Sequence, residues 1–116
     1  MFKKDPLSTK ALTDSTYYIL LSLLEPRHGY ALMKYIKELT DGYFTIGPAT
    51  MYTLIKKLQD QQLIKLFKDE HDRRKTYVAT EEGRRVLQND LKKRQEMVTH
   101  GNLVIQLSEV KNHNDS

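Results

Sequence analysis

The sequence predicts a mainly α-helical fold with a small β-hairpin, arranged as a winged helix-turn-helix with a long helix at its C-terminal end. Three observations predict it. Three apolar patterns of helical period come first, two β-prone runs around a charged loop follow, and a long helical pattern closes the chain. This order of elements is typical of winged helix-turn-helix domains. A chain of 116 residues has room for one such domain.

The chain divides into four segments. Residues 1–11 are a polar N-terminal arm, and residues 12–80 form the predicted winged helix-turn-helix domain. Residues 81–108 form the predicted C-terminal dimerisation helix, and the polar residues 109–116 are expected to be a frayed tail. The chain has no cysteine, which excludes disulfides and thiolate metal sites.

The first two helices are predicted from their caps and their apolar spacing. Polar side chains over 13–16 offer N-caps, and Pro26 ends the first helix because the residue before a proline avoids helical angles. Its apolar stripe, at i, i+3, i+4 and i+7, consists of Tyr17, Leu20, Leu21 and Leu24. A second helix follows Gly29, with an inward face formed by Leu32, Ile36 and Leu39.

The third helix, over 48–61, has a polar outward face. Pro48 suits the first position of a helix, and the apolar stripe consists of Met51, Leu54, Ile55 and Leu58. At 100° per residue, the opposite face carries two threonines and two lysines, with a tyrosine on the flank. Hydroxyl and amine groups can bond base edges and phosphates. The candidate DNA-binding residues of this helix are therefore Thr50, Tyr52, Thr53, Lys56 and Lys57.

A hairpin over 63–79 is the predicted wing. Its two β-prone runs flank a charged loop that ends in Arg73, Arg74 and Lys75. Cations at a hairpin tip can contact the DNA backbone or a minor groove. Tyr77, in the second strand, is expected to anchor the wing and completes the candidate DNA-binding set. A separate short extended segment is predicted over 43–46.

The net positive charge is concentrated in the middle third of the chain. The sequence has 19 Lys and Arg against 15 Asp and Glu, a net of +4. Residues 45–79 carry seven basic and four acidic side chains, and so most of this excess. A basic loop or a polar helix face alone is common on solvated surfaces. Here both occur where a winged helix grips a duplex, which favours DNA as the partner.

The last helix is predicted to pack on a partner helix. Apolar residues recur seven apart along it, which suits helix–helix packing between subunits. The candidate dimerisation residues are Leu91, Met97, Val98, Val104 and Ile105.

The sequence predicts no enzyme, metal site or cofactor. The four histidines lie in different predicted elements without the spacing of a metal pair. Neither a nucleophile elbow nor a glycine-rich phosphate loop occurs. The most apolar run, 17–24, is too short to span a bilayer, and no secretion signal precedes it, so a cytoplasmic location is expected.

Four short motifs follow one another along the chain. They are His28-Gly29-Tyr30, Pro48-Ala49-Thr50-Met51-Tyr52, Arg73-Arg74-Lys75-Thr76-Tyr77 and Thr80-Glu81-Glu82-Gly83. In order and spacing they resemble the PadR-like family of bacterial transcriptional regulators, and specifically its short subfamily with a single C-terminal helix. The resemblance implies a homodimeric winged-helix repressor that dimerises through this helix and releases DNA on binding a small molecule.

The sequence thus predicts a sequence-specific DNA-binding transcriptional regulator that binds a pseudopalindromic operator as a homodimer. The resemblance implies that it is a ligand-responsive repressor. A double-stranded DNA operator and a second copy of the chain are the expected partners, with a small-molecule effector at the dimer interface. The alternative is a winged-helix adaptor that binds protein or RNA without operator specificity. His28 is expected to cap the second helix, and Tyr30 to lie in the core.

Overall fold

The computed structural model describes residues 11–70 and 74–115, with side chains described as far as residue 112. Four helices and three strands follow one another along the chain. They are α1 (Asp14–Ser22), β1 (Arg27–His28), α2 (Gly29–Leu39), α3 (Pro48–Asp60), β2 (Ile64–Glu70), β3 (Arg74–Ala79) and α4 (Glu81–Asp115). The predicted fold class, mainly helical with a small β wing and a long last helix, is confirmed. Of the predicted arm, residues 1–10 lie outside the described residues.

Helix α1 begins at a hydroxyl cap. The backbone N–H of Thr16 donates to Oγ1 of Thr13 at 3.2 Å, which places Thr13 at the N-cap. The helix ends at Ser22, four residues before Pro26. Its side chains of Ile19 and Leu20 are fully buried.

The three strands form one antiparallel sheet in the order β1-β3-β2. Strand β1 was not predicted; it pairs Arg27 with Tyr77 and His28 with Thr76. Strands β2 and β3 form the wing, with a register shift between Leu66 and Lys68. The sheet therefore joins the wing to the start of α2.

The prediction of an extended segment over 43–46 is wrong, because these residues form no strand. The chain turns through Asp41 and Gly42, which both have positive φ, at 54° and 80°. Oγ1 of Thr40 then donates to the carbonyl oxygen of Phe44 and accepts from its N–H, at 3.1 and 3.0 Å. This side chain occupies the backbone groups that a neighbouring strand would need.

Two side chains of α2 differ from the prediction. Tyr30 was expected in the core but is 68% exposed, because it lies roughly 160° around the helix from the buried Leu32. Leu39 was expected to face inward but is 48% exposed. It is the last residue of α2, and helical periodicity carries no information on where the neighbouring elements stop.

One hydrophobic core holds the helices and the sheet together. Each of α1, α2, α3, β2, β3 and α4 contributes side chains to it. The buried apolar residues are Ile19, Leu20, Leu23, Leu32, Ile36, Ile46, Met51, Ile55, Leu58, Leu63, Ile64, Tyr77, Val86 and Leu87. At roughly 25 cal/mol per Å² of apolar surface, their burial is the main favourable term for folding.

Helix α4 is longer than predicted. It runs unbroken from Glu81 to Asp115. The predicted helix end at residue 108 is therefore wrong, and of the predicted frayed tail over 109–116, residues 109–115 are helical. Gly101 does not break the helix, since an internal glycine costs only about 1 kcal/mol relative to alanine. At 1.5 Å per residue the helix is about 50 Å long.

The start of α4 lies close against β2. Oγ1 of Thr80 accepts from the Gly83 N–H at 3.0 Å and donates to the Gln62 carbonyl oxygen at 2.8 Å. The Leu63 carbonyl oxygen accepts from the Thr80 N–H at 2.9 Å. A Cβ atom at Gly83 would lie 2.0 Å from that carbonyl oxygen. Only glycine therefore fits this third position of the helix, which explains why a Glu or Gln of a full capping box is absent.

An ion pair between the buried Asp90 and the half-buried Arg94 fixes α4 to the start of α1. Asp90 is buried; its carboxylate accepts from Arg94 Nε at 2.5 Å and from the Leu12 N–H at 3.3 Å. Arg94 also donates to Asp14 Oδ1 at 2.9 Å and to the Leu12 carbonyl oxygen at 3.0 Å, and its guanidinium lies over the ring of Tyr17. Burial alone would lower the pKa of Arg94, but its bonds to both carboxylates outweigh burial and raise it.

Replacing Gly83 by alanine should destabilise the fold. The added methyl would overlap the Leu63 carbonyl, so α4 or β2 must shift, and we expect a loss of about 2 kcal/mol in the free energy of unfolding. Gly101→Ala is the matched control. A Cβ there meets nothing within 4 Å, so it should raise stability by up to about 1 kcal/mol. Urea unfolding at one fixed protein concentration measures both, and equal stability of the two variants would contradict the close contact.

Candidate nucleic-acid interface

Helix α3 turns a polar face to solvent because its other side is buried. Gly47 is the N-cap residue and Pro48 takes the first helical position, as predicted. The buried side chains of α3 are Met51, Ile55 and Leu58. Their burial leaves the threonines and lysines of the opposite face exposed, in agreement with the predicted orientation.

The exposed face of α3 carries groups that can bond DNA. Thr50, Thr53, Lys56 and Lys57 are all exposed. The Thr53 hydroxyl donates to the Ala49 carbonyl oxygen at 3.0 Å, which leaves its oxygen free to accept. Lys56 Nζ lies 3.7 Å from a carboxylate oxygen of Asp60, and both side chains are largely exposed. So exposed a pair contributes little stability, and Lys56 can exchange this partner for a phosphate.

Tyr52 lies on the flank of α3, facing the start of α2. It is half-exposed, and a Cβ atom at Gly29 would lie 2.5 Å from the Tyr52 hydroxyl oxygen. Gly29 therefore makes room for this tyrosine. His28 caps α2, with Nδ1 accepting from the Ala31 N–H at 3.3 Å, which is the structural role that the sequence favoured.

The wing presents cations that face acidic residues across the hairpin. Arg74 and Lys75 are exposed on β3. In the register of the hairpin, Arg74 lies opposite Glu70 of β2, and Lys75 lies opposite Asp69. Lys68 forms an ion pair with Glu70 at 3.1 Å. Arg73, the remaining predicted wing cation, lies outside the described residues.

Tyr77 is buried beneath the wing, 7% exposed, with Lys75 on the same face of β3. Burial, together with the nearby Tyr52 and Asp69, raises the pKa of its hydroxyl above the usual value. The predicted anchoring position in the second strand fits this burial.

A cleft of about 520 Å³ lies between the start of α2, the flank of α3 and the wing. It brings together four residues that the sequence singled out for DNA contact, Tyr52, Arg74, Lys75 and Tyr77. His28, Gly29 and Tyr30 also line it. Tyr30 was not predicted to lie here, although its position on the helix opposite the inward-facing Leu32 indicates an exposed side chain.

The five candidate dimerisation residues of α4 are all exposed. Their exposed fractions run from 41% at Leu91 to 63% at Val104. Three further exposed apolar residues of α4, not named from the sequence, are Leu103, Leu107 and Val110. At 100° per residue they lie on a different side of the helix from the Leu91, Val98 and Ile105 stripe. Their apolar character and helical spacing are visible in the sequence, but the predicted helix ended at residue 108 and so did not include Val110.

Among the side chains that the structure describes, those of residues 11–70 and 74–112, no group of three potential metal ligands occurs. In the same part of the chain, none of the helices combines the length and the apolar character that crossing a membrane requires.

Comparison with known sequences gives a consistent family. The profile described as "Transcriptional regulator PadR-like family" matches residues 19–89. The "Transcriptional regulator YqjI" of Escherichia coli (strain K12) is 34% identical over 74 residues, 62% of this chain and 35% of that protein. The chain thus spans about a third of the length of the curated relatives it matches.

Comparison with solved structures gives the same family. A PadR family transcriptional regulator from Eggerthella lenta DSM 2243 superposes with a TM-score of 0.63 at 31% identity, covering 79% of this chain and 80% of that one. Bacillus subtilis PadR in complex with operator DNA gives 0.60 at 26% identity, covering 67% and 46%. Since the profile match spans more than half of the sequence, the chain belongs to the PadR-like family of transcriptional regulators.

Proposed function

We propose that this protein is a sequence-specific DNA-binding regulator that works as a homodimer on a pseudopalindromic operator. One observation carries the proposal: Tyr52, on the flank of the exposed threonine and lysine face of α3, also lines the cleft that holds Arg74 and Lys75. A major groove admits a helix with such a face, and cations next to it can bond the adjoining backbone. The likeness to Bacillus subtilis PadR with operator DNA supports the same arrangement.

Within this proposal the residues of α3 and the wing have separate roles. Thr50 and Thr53 read base edges, and Lys56 and Lys57 reach bases or phosphates. Arg73, Arg74 and Lys75 contact the backbone or the minor groove beside the site. Phosphate contacts set register and affinity, whereas base contacts set sequence preference.

A second copy of the chain is the partner that we propose for α4. Every side chain described from Gln95 onward is exposed, so this half of the helix has no cover from its own domain. Its apolar side chains lie on two sides of the helix, and a single partner helix can cover only one of them. The other side needs a further element of the second subunit. Two-fold pairing then places the two α3 helices about 34 Å apart, one turn of the duplex.

Repression and a small-molecule effector are the finer parts of the proposal. An effector at the dimer interface would act by changing the separation of the two α3 helices. The effector can do so only if it binds the dimer more tightly at one separation of the α3 helices than at the other. Such a difference in effector affinity would arise where α4 contacts the second subunit. This contact lies next to Asp90 and Arg94, which hold α4 to the start of α1.

A winged-helix adaptor that binds protein or RNA is the alternative. Its polar α3 face would be the same, but it would have no preference for a palindromic duplex. Selection of binding sites from a random double-stranded pool separates the two, because only the regulator enriches an inverted repeat.

The affinity for an enriched duplex should fall steeply with salt. If each subunit neutralises about three to five phosphates, log K against log salt should have a slope between about −5 and −9. Arg74→Ala should weaken binding to all duplexes and reduce the slope by about 2 per dimer. Lys93→Ala, an exposed lysine on α4 away from α3 and the wing, should leave the slope unchanged. Fluorescence anisotropy at several salt concentrations measures it, and a wild-type slope near zero would refute DNA binding.

Thr50→Ala should relax base preference rather than lower affinity uniformly. Losing one base contact costs about 1–3 kcal/mol of discrimination at one position of each half-site. Arg74→Ala is the contrast, since loss of a phosphate contact weakens all sequences alike. Competition with single-base variants of the selected duplex measures both. A Thr50→Ala variant that lost affinity equally for every sequence would not be a base reader.

Dimerisation should be abolished by charge in the apolar stripe of α4. In Val98→Glu/Ile105→Glu, carboxylates would be buried without partners, so the dimer dissociation constant should rise at least about 100-fold. Gln106→Glu adds charge to an exposed polar position of the same helix and should leave the dimer intact. These substitutions keep Asp90 and Arg94, which a truncation would remove. Analytical ultracentrifugation measures the dimer dissociation constant of each variant. A double variant that stays dimeric would show that another surface forms the dimer.

A further inference from the structure

The start of α1 lies beside the C-terminal half of α3. Ala11 and Leu12 line a cleft of about 270 Å³ together with Lys57 and Gln61, from the last turn and the C-cap of α3. Lys57 is exposed and belongs to the proposed DNA-binding face of this helix. The N-terminal arm, residues 1–11, therefore joins the domain at the edge of that face.

The arm and the wing border opposite flanks of the exposed face of α3. Tyr52, on one flank, lines the cleft that this helix forms with the wing. Lys57 comes five residues later, which places it about 140° around the helix axis from Tyr52. Thr53 and Lys56 lie between these two positions on the helix surface. The polar face of α3 thus has the wing on one side and the start of the arm on the other.

The point where the arm joins the domain is on the side of the proposed second subunit. The Leu12 N–H donates to Asp90 Oδ1 at 3.3 Å, and the Leu12 carbonyl oxygen accepts from Arg94 at 3.0 Å. Both partners belong to α4, directly before the half of this helix that is exposed from Gln95 onward. Because that half is the proposed subunit contact, each arm begins between α3 and the second subunit, whereas the wing lies on the outer flank.

The arm is basic and long enough to reach the centre of the operator. Residues 1–10, which lie outside the described part of the chain, carry three lysines, Lys3, Lys4 and Lys10, against one acid, Asp5. Ten residues can span about 33 Å when extended. Two α3 helices about 34 Å apart leave about 17 Å between the middle of each half-site and the centre of the operator. An arm that begins beside α3 therefore reaches that centre.

The centre of the operator presents a minor groove to the protein. Successive major grooves on one face of a duplex are separated by one minor groove, so two α3 helices one turn apart flank it. This groove is too narrow for a helix but admits an extended basic arm. Its negative potential attracts lysine side chains and is strongest where A·T pairs narrow the groove.

We propose that the N-terminal arms of the two subunits place Lys3 and Lys4 in the minor groove at the centre of the operator. The inference rests on the proposed function, and it adds a preference for A·T at base pairs that neither α3 nor the wing contacts. The minor groove suits the arm better than the apolar stripe of α4 does, because four of residues 1–10 are charged and three of those are cations.

Lys3→Ala/Lys4→Ala removes both lysines and leaves the Thr13 cap of α1 in place. Affinity for the selected duplex should fall at least about 10-fold, and the slope of log K against log salt should become shallower by about 4 per dimer, since four cations no longer displace counterions. Lys92→Ala/Lys93→Ala is the matched control, because it removes the same charge from exposed positions of α4 and should change neither quantity. Fluorescence anisotropy measures binding, and urea unfolding checks that both variants keep the wild-type stability.

The base pairs at the centre of the duplex distinguish a minor-groove contact from a backbone contact. Three duplexes carry the selected half-sites with A·T, inosine·C or G·C pairs at the centre. An inosine·C pair has the major-groove edge of G·C but, like A·T, lacks the guanine amino group in the minor groove. Wild type should therefore bind the first two centres alike and the G·C centre roughly 10-fold more weakly. Lys3→Ala/Lys4→Ala should bind all three centres alike.

Three results would overturn the proposal. Wild-type affinity and salt slope in Lys3→Ala/Lys4→Ala would show that the arm does not contact the duplex. Lower affinity with an unchanged ratio among the three centres would place the lysines on the backbone rather than in the groove. A dimer dissociation constant that rises in this variant, measured by analytical ultracentrifugation, would place the arm on the second subunit. In each case an enriched inverted repeat and a steep wild-type salt slope would leave the proposed function standing, whereas the absence of both would remove the function and this inference together.

Discussion

The burial of one side of α3 is the constraint on which the interface depends. Met51, Ile55 and Leu58 are held in the core, so the rotation of α3 about its own axis is fixed. A helix rotated by half a turn would place its lysines in an apolar interior, at a cost of several kcal/mol for each unpaired charge. The same packing sets Tyr52 against Gly29 and thereby brings α3, α2 and the wing around one cleft.

A second rigid connection joins this interface to α4. The contact of Gly83 with the Leu63 carbonyl sets how closely α4 approaches the sheet, and the bonds of Asp90 and Arg94 fix its direction relative to α1. The base of α4 is therefore held against the domain by contacts with two different elements. Under the proposed dimer, any change in the packing between two α4 helices is transmitted to the separation of the α3 helices rather than absorbed at a flexible joint.

Periodicity, caps and turn residues predicted most of the fold. The stripes of the helices, the Thr13 cap, Pro48 and the charged hairpin are local signals, and each element they indicate is present. Strand β1 could not be predicted in this way, because two residues carry no periodic signal and exist as a strand only by pairing with β3. The extent of α4 was underestimated because polar residues after 108 suggested fraying, whereas polar residues continue a helix readily.

The sequence by itself determined the family, the residues of α3 that face outward and the position of the positive charge. These follow from residue types at fixed spacings along one chain. Only the tertiary structure decided that Tyr30 is exposed and that Tyr52, Arg74, Lys75 and Tyr77 share a cleft. These residues come from three separate elements. Their meeting depends on the crossing of α2 and α3 and on the register of β1 with β3, and both are set by packing and by pairing between distant segments.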